Sequence, residues 1–190
     1  MSFSNSVKSI SCLAAFIAVG QVVGARAEWM GTCQADFAVG VTMDSFVGHV
    51  TTAPFAFAED GGTTSVDVQI KNMDTGKKGR NEEMWKMFGA DKFATIRAVV
   101  PSVGVVNLKA ATTNELSFQL AISGQTNEVK GVLTNFKEAD GKRMFDAAFP
   151  VSLKAFGLKA PSMMFGAIKV ADVVKVTAHV ALESKAAAKL

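Results

Sequence analysis

The feature that most constrains the fold is a period-two alternation of apolar and polar residues. It recurs in four runs, at 37–42, 66–71, 116–123 and 174–182. In the third run Leu116, Phe118, Leu120 and Ile122 alternate with smaller or polar residues. Alternation of this kind is typical of β-strands with one buried face. The chain is therefore predicted to be dominated by strands.

Turn signals separate these runs, which makes neighbouring strands antiparallel. They are Asp60-Gly61-Gly62, Ser123-Gly124 and Asp140-Gly141, and the last is a favoured type I′ pair. Weaker strands are predicted at 47–58, 95–109, 129–137 and 147–154, which gives about eight strands in all. No strand-helix-strand rhythm of a parallel α/β protein is present. The periodicity predicts an all-β antiparallel fold but does not choose between a two-sheet sandwich and a closed barrel.

One short helix is predicted at 81–89. Asn81 can cap it, Glu82 and Glu83 suit its positive amino-terminal end, and Gly89 can end it. Met84, Trp85 and Phe88 form an apolar stripe at helical spacing. We expect this helix to cover or plug an apolar opening.

Residues 1–27 have the features of a secretory signal peptide. Lys8 precedes a mostly apolar run at 10–24, and Ala25-Arg26-Ala27 fits the small-x-small cleavage rule. The run is too short and too interrupted for a membrane anchor. We therefore expect cleavage after Ala27, a periplasmic or secreted protein, and no transmembrane segment in the mature chain.

The mature chain, 28–190, is predicted to be a single domain with a frayed tail at 184–190. About 160 residues that are half apolar suffice for a hydrophobic core. The leader holds two basic residues and no acidic one, so its loss lowers the formal charge from +3 to +1. A nearly neutral chain without a large basic cluster does not favour a nucleic-acid or polybasic membrane partner. Loss of Cys12 leaves Cys33 without an intramolecular disulfide partner.

The sequence lacks the residue groups that usually mark catalysis or metal binding. His49 and His179 lie far apart without ligand spacing, and no nucleophile elbow, paired-cysteine or dinucleotide-binding motif is present in the mature chain. We therefore predict no enzyme, no cofactor and no metal. The loop basic residues Lys77, Lys78 and Arg80 either lie in solvent or contact an anionic head group at a pocket mouth.

Several segments, taken in order, resemble the YceI-like lipid/polyisoprenoid-binding family of secreted bacterial proteins. Asn81 and Glu83 stand where that family usually has Asp and His. The segments that carry the resemblance are Asp74-Thr75-Gly76, Arg80 to Met84, Asp91 to Ile96, Ile122 to Val129, Ala155-Phe156-Gly157 and Val170 to Val176. Together they extend over nearly all of the mature chain.

The resemblance implies a lipocalin-like antiparallel barrel with one or two short helices and an apolar tunnel. Its expected partner is a hydrophobic small molecule such as an isoprenoid or a fatty acid or amide, bound without catalysis. The predicted apolar lining is Trp85, Phe88, Phe118, Leu120, Ile122, Phe149 and Val151. The alternative is a structural or interaction barrel of the same fold that its own Phe side chains fill. The oligomeric state does not follow from the sequence.

Overall fold

The structure, a computed structural model, describes residues 28–58, 62–102, 105, 114–163 and 168–184. The predicted signal peptide, Asp60 and Gly61 of one predicted turn, most of 102–109 and the tail from 185 onward lie outside the described residues.

Strands form most of the described chain, as the alternation predicted. In chain order the strands are β1 (Glu28–Val41), β2 (Asp44–Thr51), β3 (Phe55–Ala58), β4 (Thr63–Gln69), β5 (Thr95–Pro101), β6 (Asn114–Ile122), β7 (Gln125–Ala139), β8 (Lys142–Ser152), β9 (Ser162–Met163) and β10 (Ile168–Ser184). Helix α1 spans Lys78–Phe88, and single 3₁₀ turns lie at Ile70–Asn72 and Lys154–Phe156.

The strands form one antiparallel sheet with the order β2-β1-β10-β8-β7-β6-β5-β4. Strand β3 pairs with the amino-terminal part of β1, and β9 pairs with β10. The sheet curls until its two edges meet. There β3 contacts β4, and His49 and Asp74 form a backbone bridge with N···O distances of 2.7 and 2.9 Å. The predicted lipocalin-like barrel class is confirmed.

The apolar residues of all four alternating runs point into the barrel. Their sequence neighbours face outward. The buried residues include Phe37 and Val39 on β1, Leu116, Phe118, Leu120 and Ile122 on β6, and Leu182 on β10. The run at 66–71 ends in the first 3₁₀ turn, where Ile70 is completely buried. These inward faces form one continuous core.

The predicted strand at 47–58 is wrong in its extent, because the structure divides this region into β2 and β3. Residues 52–54 separate the two strands. Pro54 has no N–H to donate to a ladder. Before this break β2 pairs with the carboxyl-terminal part of β1, and after it β3 pairs with the amino-terminal part.

The predicted hairpin turns at Ser123-Gly124 and Asp140-Gly141 are confirmed. The backbone φ angles are 49° and 82° in the first pair and 51° and 71° in the second. Two successive positive φ angles define the type I′ turn that joins antiparallel strands with the correct twist. Each pair therefore connects adjacent strands, β6 to β7 and β7 to β8.

Helix α1 begins three residues earlier than predicted, and Asn81 is not its cap. The residue before the helix is Lys77, which makes no side-chain cap bond. Asn81 Oδ1 instead accepts hydrogen bonds from the N–H and hydroxyl of Thr75, so the side chain holds the preceding loop. The predicted end is confirmed, since Gly89 has a φ of 63° and its N–H bonds to carbonyls of the last turn.

Candidate functional site

The barrel encloses an apolar cavity of about 260 Å³. Among the described residues, inward side chains of nine strands, β1 to β8 and β10, and of helix α1 form its wall. Almost all of the wall surface is carbon, and Phe, Val, Leu, Ile and Ala supply most of it. Concave, largely apolar cavities are the usual form of a small-molecule site, and this one is slightly smaller than the roughly 300–1,000 Å³ that is typical.

Six of the seven residues predicted to line a cavity lie in its wall. They are Phe88 on α1, Phe118, Leu120 and Ile122 on β6, and Phe149 and Val151 on β8. The rings of Phe118 and Phe149 meet edge to face, with centroids 5.1 Å apart and an interplanar angle of 79°. Such a pair gives this side of the wall a fixed shape.

Trp85 is not among the residues that line the cavity. The helix positions that line it are Arg80, Met84, Met87 and Phe88, which follow helical spacing. Trp85 comes one residue after Met84 and therefore lies about 100° around the helix from it. Its ring packs against the outside of the core, and its Nε1 atom is buried without a hydrogen-bond partner in the described part of the chain.

The size of the side chains that line the cavity changes along the strands. Ala35, Ala178 and Ala147 pair with one another across β1, β10 and β8, so three small side chains lie at one level. Two residues along, the same strands carry Phe37, Val176 and Phe149. The side chains that these three strands direct at the cavity are therefore smaller at the alanine level than at the level of the two rings.

The few polar residues of the wall direct little polarity at the cavity. Thr64 and Ser102 form a buried hydroxyl pair at 3.3 Å. Cys33 is buried, and this burial raises the pKa of its thiol to about 11. The thiol is therefore protonated at neutral pH and behaves as a small apolar group.

Of the three predicted head-group residues, only Arg80 reaches the cavity. Its guanidinium carbon lies 3.8 Å from the centroid of the Phe46 ring, and its Nη1 donates a hydrogen bond of 3.5 Å to the carbonyl of Thr75. Lys77 and Lys78 are exposed and do not line the cavity. The Lys78 ammonium lies 4.0 Å from Glu82.

A small hydrogen-bond network fixes the start of α1 beside the cavity. Asn81 Nδ2 donates to Asp74 Oδ1 at 2.8 Å, and Gly76 N–H donates to the same oxygen at 2.9 Å. These two donors lower the pKa of Asp74. Because Asp74 also pairs with His49 on β2, the network ties the helix to the line where the barrel closes.

The wall also contains residues that the sequence did not single out for the site. They lie on most of the strands, and on β1, β2 and β3 they include Phe37, Phe46, Phe55 and Phe57. The alternation of Phe37 with its neighbours carried the signal for β1. Strands β2 and β3 are too short for a clear period. The sequence therefore did not show that Phe55 and Phe57 face the same cavity as the residues of the longer strands.

The two histidines lie on the outer face of the barrel, each paired with a carboxylate. His49 Nδ1 lies 2.8 Å from Asp36, and His179 Nδ1 lies 2.7 Å from Asp146. Among the described residues, no group of three or more His, Cys, Asp or Glu side chains could hold a metal ion. In the same part of the chain, no helix is long and apolar enough to cross a membrane.

One family model matches most of the chain. The sequence model of the YceI-like domain matches residues 18–182. BcnA of Burkholderia cenocepacia is similar in structure, with a TM-score of 0.63, 16% identity, and coverage of 78% of this chain and 95% of BcnA. No curated protein matches the sequence.

Two further solved structures share the fold at low identity. A polyisoprenoid-binding domain from Saccharophagus degradans, implicated in plant cell wall breakdown, has a TM-score of 0.60, 11% identity, and coverage of 84% of this chain and 99% of that domain. A mutant Campylobacter jejuni YCEI protein with a monobromobimane guest has a TM-score of 0.51, 12% identity, and coverage of 97% and 91%.

Proposed function

The chain belongs to the YceI-like domain family, and on that premise we propose that it is an exported, non-catalytic binding protein. It sequesters or carries a long apolar molecule, an isoprenoid or a fatty chain, inside the barrel. A fold shared at 11% identity with a polyisoprenoid-binding domain supports this ligand class. The leader features of residues 1–27 support export.

The observation that carries the proposal is the apolar cavity inside the barrel. A hydrocarbon chain that enters it leaves water and gains roughly 25 cal/mol for each Å² of apolar surface buried. The wall directs almost no polar surface at the cavity, so a chain leaves few wall groups without a partner. A barrel filled by its own Phe side chains would leave no such space.

Arg80 is the residue we propose for contact with a polar or anionic head group. Its guanidinium already lies in the cavity wall, stacked on Phe46, and keeps N–H groups that the ring does not use. Lys77 and Lys78 are exposed at the start of helix α1, where they add positive charge at longer range.

A Leu120→Trp variant tests this function. Leu120 lines the cavity on β6, and a Trp at that position would occupy space that the ligand needs. We expect the variant to fold and to bind hexadecan-1-ol about tenfold or more weakly, measured by displacement of the fluorescent probe N-phenyl-1-naphthylamine.

Gln119→Trp is the matched control, because Gln119 is the adjacent residue of β6 and faces solvent. It should bind the alcohol as the parent does. If the core were already solid, Leu120→Trp would overpack it and cost about 1–3 kcal/mol of stability. A destabilised Leu120→Trp protein, together with a parent that binds no alcohol, would contradict the proposed function.

A further inference from the structure

Two phenylalanine rings of the cavity wall lie directly over glycines of the neighbouring strand. Phe55 on β3 pairs with Gly31 on β1, and Phe37 on β1 pairs with Gly48 on β2. Both rings line the cavity. A Cβ atom added to either glycine would overlap the ring opposite it. Each ring therefore fills the place that a side chain on the paired strand would otherwise take.

We infer that Gly31 and Gly48 are specificity-determining residues, which hold the cavity wide enough for a methyl-branched chain by letting these two rings lie against the wall. The inference rests on the proposed function and deepens it, since it concerns which apolar chains the same cavity admits.

A methyl group added to either glycine would push the ring opposite it toward the cavity. Gly31 and Gly48 lie on the inward face of their strands, so an added Cβ points at the ring from the wall side. The ring must then move away from the wall, and the space on its other side is the cavity. An isoprenoid carries a methyl branch in every repeat unit and is wider than an unbranched alkyl chain. A narrowed cavity therefore discriminates against the isoprenoid.

Gly31 gives a cleaner test than Gly48. The three atoms nearest to a Cβ on Gly31 are all ring atoms of Phe55, which can rotate away. A Cβ on Gly48 would also lie 2.8 Å from the carbonyl oxygen of Asp74, which pairs with His49 where the barrel closes. Substitution of Gly48 would therefore disturb that closure as well as the ring.

The experiment compares the parent protein with Gly31→Ala and Gly31→Ala/Phe55→Leu. Gly40→Ala is the matched control, because Gly40 lies on the same strand and an added Cβ would meet Ala171 at an ordinary contact distance of 3.4 Å. Each protein is titrated with geranylgeraniol, a branched isoprenoid alcohol, and with hexadecan-1-ol, which is unbranched. Displacement of N-phenyl-1-naphthylamine reports both affinities.

We expect Gly31→Ala to bind geranylgeraniol about tenfold more weakly and hexadecan-1-ol about threefold more weakly or less. Shortening the ring in Gly31→Ala/Phe55→Leu should restore geranylgeraniol binding to within about twofold of the parent. Gly40→Ala should bind both alcohols as the parent does. Equal affinities of the parent and Gly31→Ala for geranylgeraniol would overturn the inference.

Two further outcomes are also decisive. If Gly31→Ala does not fold, the Gly31→Ala/Phe55→Leu variant provides the test. Geranylgeraniol binding as tight as that of the parent supports the inference, and failure of this variant to fold overturns it. If the parent binds neither alcohol, the proposed function fails, and xenon occupancy of the cavity in crystals then decides the inference by itself. Lower occupancy in Gly31→Ala than in the parent and Gly40→Ala supports it, and equal occupancy overturns it.

Discussion

At the scale of single residues, the apolar wall of the cavity includes a side chain that carries an ionisable group but stays neutral. This side chain is that of Cys33, because burial of its thiol removes the charge that would otherwise form at alkaline pH. Asp172 shows the opposite behaviour on the rim of the barrel. Its carboxylate accepts hydrogen bonds of 2.8 Å from Lys154 N–H and from the Ser152 hydroxyl. The thiol of Cys33 therefore stays neutral, and the carboxylate of Asp172 stays charged.

Cys33 is expected to resist modification in the folded protein. Burial raises its pKa from 9.0 to about 11, which lowers the thiolate fraction at pH 8 by about a hundredfold. A chromogenic disulfide reagent should therefore label Cys33 at pH 8 at least about a hundredfold more slowly than in denaturant. Rapid labelling of the native protein would show that this thiol is not enclosed in the wall.

Asp172 should make stability depend on pH in the acidic range. Hydrogen bonds from the N–H of Lys154 and then from the Ser152 hydroxyl lower the pKa of Asp172 below the ordinary 3.8. The carboxylate therefore contributes fully to the stability of the fold above pH 3.8. This contribution is lost as the pH falls through the lower pKa of the folded state. Asp172→Asn should be less stable than the parent at pH 7, and the difference should shrink as the pH falls below 3.8. Urea unfolding at several pH values measures this, and a constant difference would contradict the assignment.

At the scale of elements, helix α1 depends on a loop contact more than on its own cap. Asn81 accepts from Thr75 and donates to Asp74 with the two atoms of one amide. An amide is suited to this place because it faces a carboxylate with its N–H₂ group. The amide of Asn81 therefore fits this position better than a carboxylate would.

An Asn81→Asp substitution tests this account. It would place a second carboxylate 2.8 Å from the Asp74 oxygen that now accepts a hydrogen bond. We expect a lower melting temperature than that of the parent at pH 7, with a smaller difference at about pH 4, where one of the two carboxyls takes up a proton. Asn81→Ala removes the amide without adding charge. Asn81→Asp should be the less stable of the two at pH 7, and the opposite order would contradict the account.

The elements also show how much of the site the sequence could predict. Alternation alone determines which side of a strand is buried, and it places Phe118, Leu120 and Ile122 on one face of β6. The prediction that this face lines a cavity depends on the family resemblance as well. The helix allowed two neighbouring apolar positions, Met84 and Trp85. Only the docking of α1 on the barrel determines which of them faces the cavity. The contact of Phe55 with Gly31 depends on strand pairing across a break, which no local pattern contains.

At the scale of the whole molecule, the barrel combines a continuous wall with a weakly paired closure. Long ladders join β1, β10, β8, β7 and β6. Among the described residues, the closure includes the His49–Asp74 bridge and the contact of β3 with β4. The cavity lies between these two sides, so its wall includes both rigid ladders and the shorter elements near the closure.

Export is the prediction that concerns the chain as a whole. We expect cleavage after Ala27, so that the exported protein begins at Glu28. Amino-terminal sequencing of protein recovered from outside the cytoplasm measures this directly. An exported form that still begins at Met1 would contradict it. Replacing Ala25 and Ala27 with larger residues should block cleavage, whereas the same change at Ser4 and Ser6 should leave it unaffected.

The central claim is that the barrel carries an apolar molecule, and native mass spectrometry of the protein purified from its natural compartment tests it most directly. We predict a bound species with the mass of an isoprenoid or fatty compound. Collisional activation should release it, and it should be absent from Leu120→Trp purified in the same way. A parent protein with only the mass of its polypeptide, and with a cavity that no added isoprenoid or fatty alcohol enters, would contradict the claim.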